Sequence, residues 1–284
     1  MIPAAAMMNH GSISHSDFPL TPTPPMSAPL PASCPLPAPF RIGPGECHLW
    51  DLDLEAPLLP GQEALLDPEE QARAAAFRVP LPRRQFSTTR SALRLLLGAY
   101  LAQPPGLLRF CLAPHGKPGL APPYAEVGLH FNVSHAGQRA LIALTADHPV
   151  GVDIEAHRPL GEDGAGLAAM ICHPRELAAW KALPQAGRLH DFYRIWTGKE
   201  ALSKALGLGL GLDFRQLELD APGFPGLPPS QPSLPGGWQL HVLEAPAGYS
   251  AALALAAGTR ISRHSFHAAA FPAAVPWPAT GNRP

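Results

Sequence analysis

Along this chain the spacing of hydrophobic positions switches between two and about 3.6 residues, and each switch marks an element. In His48-Leu49-Trp50-Asp51-Leu52-Asp53-Leu54, Trp50, Leu52 and Leu54 fall on one side and the aspartates on the other, which predicts a half-buried strand. Asp67-Pro68-Glu69-Glu70 predicts a helix start, with Asp67 as cap, proline at the first helical position and acidic residues facing the positive helix end. That helix should run through about Phe77. Leu93, Leu96, Leu97 and Tyr100 recur at helical spacing and predict a second helix over 83–101, stopped by Pro104-Pro105. β-like runs follow at 108–112, 129–133, 140–145 and 150–154. Helical spacing returns over 174–183 and 189–206, and strand-like runs over 216–219, 238–243 and 249–255 close the series.

Outside these elements the composition changes. The first forty residues alternate proline with small and polar residues and offer no periodic apolar face, so residues 1–40 are expected to be disordered. The chain's 37 prolines concentrate in that segment, over 222–235, an insertion, and after Phe271, a tail. The element order predicts an α+β fold of two similar α+β subdomains, 41–147 and 148–262, meeting near Asp147-His148-Pro149, with 263–284 as a flexible tail. With 284 residues, 46% of them hydrophobic, the chain can bury a catalytic protein's core. A net charge of −1 argues against a general electrostatic grip on nucleic acid, so any anion binding must be local. No apolar run approaches the roughly 20 residues that span a bilayer, and no secretory signal is evident, so a cytoplasmic protein without membrane contact is expected. Cys34, Cys47, Cys111 and Cys172 lack metal-ligand spacing and read as free thiols.

Four segments could carry chemistry. In Val150-Gly151-Val152-Asp153-Ile154-Glu155 both carboxylates project from one strand face, where they repel unless a cation or proton lies between them. Oxygen-only ligands suit magnesium; a wet strand face is the plainer reading. In the helix from Phe192 to Lys204, Phe192, Ile195, Leu202 and Leu206 form an apolar stripe and Lys199 falls inside it, which calls for a buried anion such as a phosphate. Glu200 and Lys204 stand i,i+4 on the flank and could be a simple surface pair. Phe131-Asn132-Val133-Ser134-His135 ends a strand in two groups able to hydrogen-bond a phosphate or sugar oxygen, while adjacency on a strand rules them out as a catalytic dyad. Gly116-Lys117-Pro118 has turn composition. Among the arginines on or beside the first two helices, Arg90 borders the packed side, and Arg73 lies one helix earlier.

Taken in this order, the motifs resemble those of the phosphopantetheinyl transferases of the larger, pseudo-dimeric type that activate peptide and polyketide synthases. That family is marked by a valine-glycine-valine-aspartate strand with a glutamate two residues on. A helix with tryptophan, a hydroxylated residue, lysine-glutamate and a later lysine follows; here these are Val150 to Glu155 and Trp196-Thr197-Gly198-Lys199-Glu200 through Lys204. The resemblance spans about residues 45 to 257. It implies a pseudo-dimer with the active site in the cleft between halves, working as a monomer. It implies that Asp153, Glu155 and Glu200 hold magnesium, that Lys199 and Lys204 neutralise the phosphates of coenzyme A, and that Glu200 and Lys204 serve catalysis. Ser134 and His135 would contact the phosphorylated ribose end, Gly116, Lys117 and Pro118 the adenine, and Arg90, with Arg73, the 3′-phosphate. The partner implied is an apo acyl or peptidyl carrier protein. A magnesium-dependent nucleotide phosphohydrolase and a non-catalytic coenzyme A binding protein are the rival readings.

Overall fold

A computed structural model of the chain describes residues 40–56, 62–219 and 237–267. The prolines over 1–39 and 222–235 and those after Phe271 lie outside the described residues. The fold is α+β, built on two main sheets.

The first sheet has the strand order β4-β5-β1-β9, from β1 (Glu46–Asp53), β4 (Leu129–Ala136), β5 (Arg139–Ala146) and β9 (Arg260–Ser265). Its apolar face, with Trp50, Leu52, Phe131, Ile142 and Leu144, packs on Leu93, Leu96 and Leu97 of helix α2 (Pro80–Leu101). Helix α1 (Pro68–Ala76) opens with a capping box in which Asp67 accepts from Glu70 N and Glu70 accepts from Asp67 N. A hairpin of β2 (Phe110–Leu112) and β3 (Pro118–Leu120) lies beside this sheet. The second sheet has the order β6-β8-β7, from β6 (Gly151–Ala156), β7 (Trp238–Leu243) and β8 (Tyr249–Ala256). Helices α3 (Gly164–Ile171), α4 (Pro174–Ala182) and α5 (Gln185–Leu206) complete the fold, α5 lying against β6 and β8.

Two edge strands, β4 and β6, bring the sheets together. They are bridged by side chains: Val152 N donates to Asn132 Oδ1 at 2.8 Å and Ile154 N donates to Ser134 Oγ at 3.3 Å. A buried edge must satisfy its amides somehow, and here polar side chains of one edge do so for the other.

Three sequence expectations are corrected. Residues 263–265, expected in the flexible tail, belong to β9, which pairs parallel to β1 with His264 stacked on Trp50. The strand expected over 216–219 is absent: Phe214–Gln216 form a 3-10 turn, and Leu219 N donates to the Glu176 carboxylate rather than to a strand. Between the strand at 150–154 and the helix at 174–183, where no element was expected, the chain forms helix α3 from Gly164; two weak helix formers, Gly164 and Gly166, had hidden it.

Helix α5 touches β6 backbone to backbone at Gly151, where an added Cβ would lie 1.9 Å from Ala201 O and 2.4 Å from Ala205 N. That approach sets the acidic strand against the helix bearing Glu200 and Lys204. Gly151→Ala is therefore expected to destabilise the protein by about 3 kcal/mol, since the overpacked atoms are backbone and cannot rotate away. Denaturant unfolding checks this; a change below about 0.5 kcal/mol would show a looser contact.

Candidate functional site

Asp153, on buried β6, is the centre of the site. Its Oδ1 accepts from Lys204 Nζ at 2.6 Å and from Ser134 Oγ at 2.8 Å, and Lys204 Nζ also lies 3.3 Å from Ser134 Oγ. Its other oxygen, Oδ2, is buried with no hydrogen-bond partner. Glu155, two positions on and so on the same strand face, accepts from Trp196 Nε1 at 3.1 Å. Glu200 and Lys204 project from α5. The structure thus brings Asp153, Glu155, Ser134, Glu200 and Lys204 together from three elements.

The electrostatics follow from the crowding. Burial, with Asp153 and Glu200 nearby, pushes the Glu155 carboxyl up to about 8. Burial, with Asp153 nearby and Lys204 opposing, pushes Glu200 up to about 7. Burial alone would depress Lys204, but Asp153 and Glu200 outweigh it and hold its ammonium charged. Three carboxyls and one ammonium leave negative charge uncompensated once the glutamates ionise. An orphaned buried carboxylate oxygen with two destabilised carboxylates is a donor set that fits a hard divalent cation such as magnesium. Among the described residues no group of three or more His, Cys, Asp or Glu stands converged on a point as finished metal ligands; an ammonium, Lys204, lies on Asp153 instead.

The remaining predicted residues lie differently. Lys199 is corrected: it is fully buried, and its Nζ donates to Glu176 Oε2 at 2.6 Å, Ile171 O at 2.7 Å and Phe214 O at 2.7 Å. An ammonium has three protons, and all three are used, so the anion its position demanded is a carboxylate of the chain itself. Gly116 takes a left-handed turn (φ +80°) before β3, and Lys117 reaches across to donate to Val150 O at 2.9 Å and Ala205 O at 3.3 Å. Burial lowers the Lys117 ammonium to about 8. His135 occupies the β4 position after Ser134, opposite Ala140. Arg73 and Arg90 flank the Phe86 ring, and Arg90 also lies over Phe110 and 3.4 Å from Glu70. They form a separate cluster with the buried Arg94, which pairs with Asp67 and Glu70 at 2.7 Å each.

The sequence reading missed Asn132, Glu176 and Trp196 as site-building residues. Asn132 and Trp196 stood inside the quoted motifs. Glu176 carried a usable signal as the fourth residue of His173-Pro174-Arg175-Glu176, a capping box at the start of α4.

Two outcomes follow. Glu176→Ala leaves Lys199 buried without a counter-charge and is expected to cost about 4 kcal/mol in equilibrium unfolding; a cost near 1 kcal/mol would mean that the lysine escapes to solvent. For Glu155 and Glu200 the folded values exceed the unfolded value of about 4.3. Their contribution to stability is then fully present below that pH and is lost as pH rises through 7 to 8. With chelator present, the melting temperature should fall between pH 5 and pH 8, and the fall should be smaller in Glu155→Gln. An equal fall in both proteins would show that Glu155 is not the strained group.

Comparison with known proteins bears on this geometry. Residues 149–254, which span β6 through most of β8, match a model of the 4′-phosphopantetheinyl transferase superfamily. The chain is 40% identical over 167 residues to the 4′-phosphopantetheinyl transferase HetI of Nostoc sp., covering 58% of this chain and 70% of that protein. It is 31% identical over 139 residues to a Bacillus subtilis 4′-phosphopantetheinyl transferase, covering 45% and 58%. It is 30% identical over 167 residues to the Homo sapiens L-aminoadipate-semialdehyde dehydrogenase-phosphopantetheinyl transferase, covering 55% and 52%.

Proposed function

Because this chain belongs to the 4′-phosphopantetheinyl transferase superfamily and is an enzyme of that class, we propose that it moves the phosphopantetheine arm of coenzyme A to a serine of an apo acyl or peptidyl carrier protein. The serine oxygen forms a bond to the β-phosphorus, and the bond from that phosphorus to the bridging oxygen breaks. Adenosine 3′,5′-bisphosphate leaves with the electron pair. The carrying observation is the orphaned Asp153 Oδ2 beside Glu155, Glu200 and Lys204.

Asp153, Glu155 and Glu200 would hold magnesium, which when bound neutralises the pyrophosphate charge. Reactions of this kind depend on positioning and charge more than on covalent help from the protein. Lys204, kept charged by its carboxylate neighbours, would bind a phosphate oxygen, while Ser134 orients Lys204 and Asp153 together. Glu200, held near 7, is suited to take the serine proton. His135 beside Ser134 would meet the ribose phosphate. Arg73 and Arg90 are the candidates for the 3′-phosphate, Arg90 with part of its charge already met by Glu70. The backbone of Gly116 to Pro118 would meet the adenine, with the Lys117 side chain serving as a tie to Val150 and Ala205. Lys199 serves by anchoring α5. The same reading makes the enzyme a cytoplasmic monomer with its active site in the cleft between two similar halves. The repeated pairing of a capping-box glutamate with a buried cation, Glu70 with Arg94 and Glu176 with Lys199, supports two similar halves.

The test mixes the protein with coenzyme A, magnesium and apo carriers and follows the carrier's intact mass. A gain of one phosphopantetheine arm, lost with chelator and with Asp153→Ala, is expected. Glu200→Gln should lower turnover at least about 100-fold while coenzyme A affinity changes little. Inorganic phosphate release from nucleotides without a carrier would point to a phosphohydrolase, and coenzyme A binding indifferent to magnesium, without transfer, to a binding protein.

A further inference from the structure

The turn joining β4 to β5 is only two residues long, Gly137 and Gln138, and Gly137 is left-handed at φ +53°. Such a turn leaves polar groups pointing outward at its tip, and here three other parts of the chain take them up. Gln85 of α2 donates its side-chain amide to Gly137 O. After β1, Leu54 N donates to Gln138 O at 2.8 Å and Glu55 accepts from the Gln138 side chain. The last contact crosses to the other sheet: Gln138 N donates to Tyr249 Oη of β8 at 3.1 Å. Tyr249 presses against the turn so closely that a Cβ on Gly137 would lie 2.5 Å from its Oη.

This contact continues a row. Along β4 and the turn, Asn132 bonds Val152, Ser134 bonds Ile154, and Gln138 bonds Tyr249. The first two ties reach β6 directly. The third reaches β8 at the residue paired with Ala156, one register step from the pairing of Glu155 with Ser250. Ser134 makes the second tie and His135 lies between it and the third, and the Ser134 hydroxyl also hydrogen-bonds Asp153 and Lys204.

We infer that Tyr249 is a positioning residue for coenzyme A: by holding the Gly137–Gln138 turn against β8, its hydroxyl fixes the end of β4 that carries Ser134 and His135 relative to the acidic strand. The inference rests on the reading of Ser134 and His135 as coenzyme A contacts. It gives the tyrosine no part in bond making. Its loss loosens ligand binding and leaves the carboxylate trio, anchored by α5 and Gly151, as it was.

The experiment measures coenzyme A binding by calorimetry and, separately, KM and kcat for transfer to a carrier protein, in wild type, Tyr249→Phe, Gly137→Ala and the double variant. Tyr249→Phe removes one hydroxyl and keeps the ring. It should weaken coenzyme A binding and raise its KM about fivefold, the effect of one hydrogen bond, with kcat within about twofold and the carrier's KM unchanged. Gly137→Ala should shift KM in the same direction. In the double variant the alanine no longer meets a hydroxyl, and the next ring atom is 3.4 Å away, although the strain of a side chain at φ +53° remains; its loss of coenzyme A affinity should therefore fall short of the product of the two single losses. Unchanged coenzyme A affinity in Tyr249→Phe overturns the inference, as does a fall in kcat or melting temperature without any change in KM, which would make the tyrosine merely structural. Wild type that binds coenzyme A in a Tyr249-dependent way yet modifies no carrier would sink the transferase reading and leave this one standing.

Discussion

Everything at the site depends on how the edges of two sheets meet. β4 and β6 approach with their side chains interleaved, and Asn132 and Ser134 supply the acceptors that the β6 amides of Val152 and Ile154 need. Continuous backbone pairing would have closed the sheets into one surface and pushed Asp153 into a ladder. Bridging by short polar side chains leaves a seam instead, and the same Ser134 hydroxyl that completes the seam donates to Asp153. Structural satisfaction and site chemistry therefore draw on one atom. A hydroxyl can serve both because it has a proton to give and lone pairs to receive.

A second constraint appears twice. At two places along the chain a short helix begins with a capping box whose glutamate, Glu70 or Glu176, is buried and paired with a fully buried cation from the long helix that follows, Arg94 or Lys199. Each cation also donates to two backbone carbonyls, of Pro105 and Leu108 for Arg94 and of Ile171 and Phe214 for Lys199. Buried charges are tolerable only when paired and fully hydrogen-bonded, so each of these nodes fixes a helix start, a long helix and a returning loop at once. The Lys199 node neighbours Glu200, so adjacent lysine and glutamate on α5 have different surroundings: one points into the scaffold, the other toward Asp153 and Lys204.

The parts of the fold governed by local rules were legible in the letters. The cap at Asp67, the two long helices and the alternating strands of both sheets rest on periodicity and capping, which a single sequence carries. The acidic strand and the Glu200–Lys204 pair were legible too, since their spacing fixes which face they share. What the sequence did not disclose was pairing over distance. That Lys199 needs an anion follows from its place in an apolar stripe; that the anion is Glu176, twenty-three residues earlier, does not. The Lys117 ammonium looked like a ligand contact in its turn, yet it ties the β2–β3 hairpin to Val150 and Ala205. Helix α3 was invisible for a different reason: its glycines lower helix propensity, and only packing of Ala168 and Ile171 against Trp180 and Phe192 makes it form.

The last described strand carries a consequence for how the chain is made. β9 completes the first sheet beside β1, and Arg260 meets Glu46 across 214 residues of chain. As the polypeptide leaves the ribosome, β1, β4 and β5 can assemble early, but β1 keeps an open edge until nearly all of the second half has been synthesised. An open edge strand invites pairing with foreign chains, and a contact of such sequence separation is slow to find. During that interval the nascent N-terminal part is the vulnerable species, and the strand that ends the wait also locks the order of assembly: of the two described main sheets, the first to begin is the last to be finished.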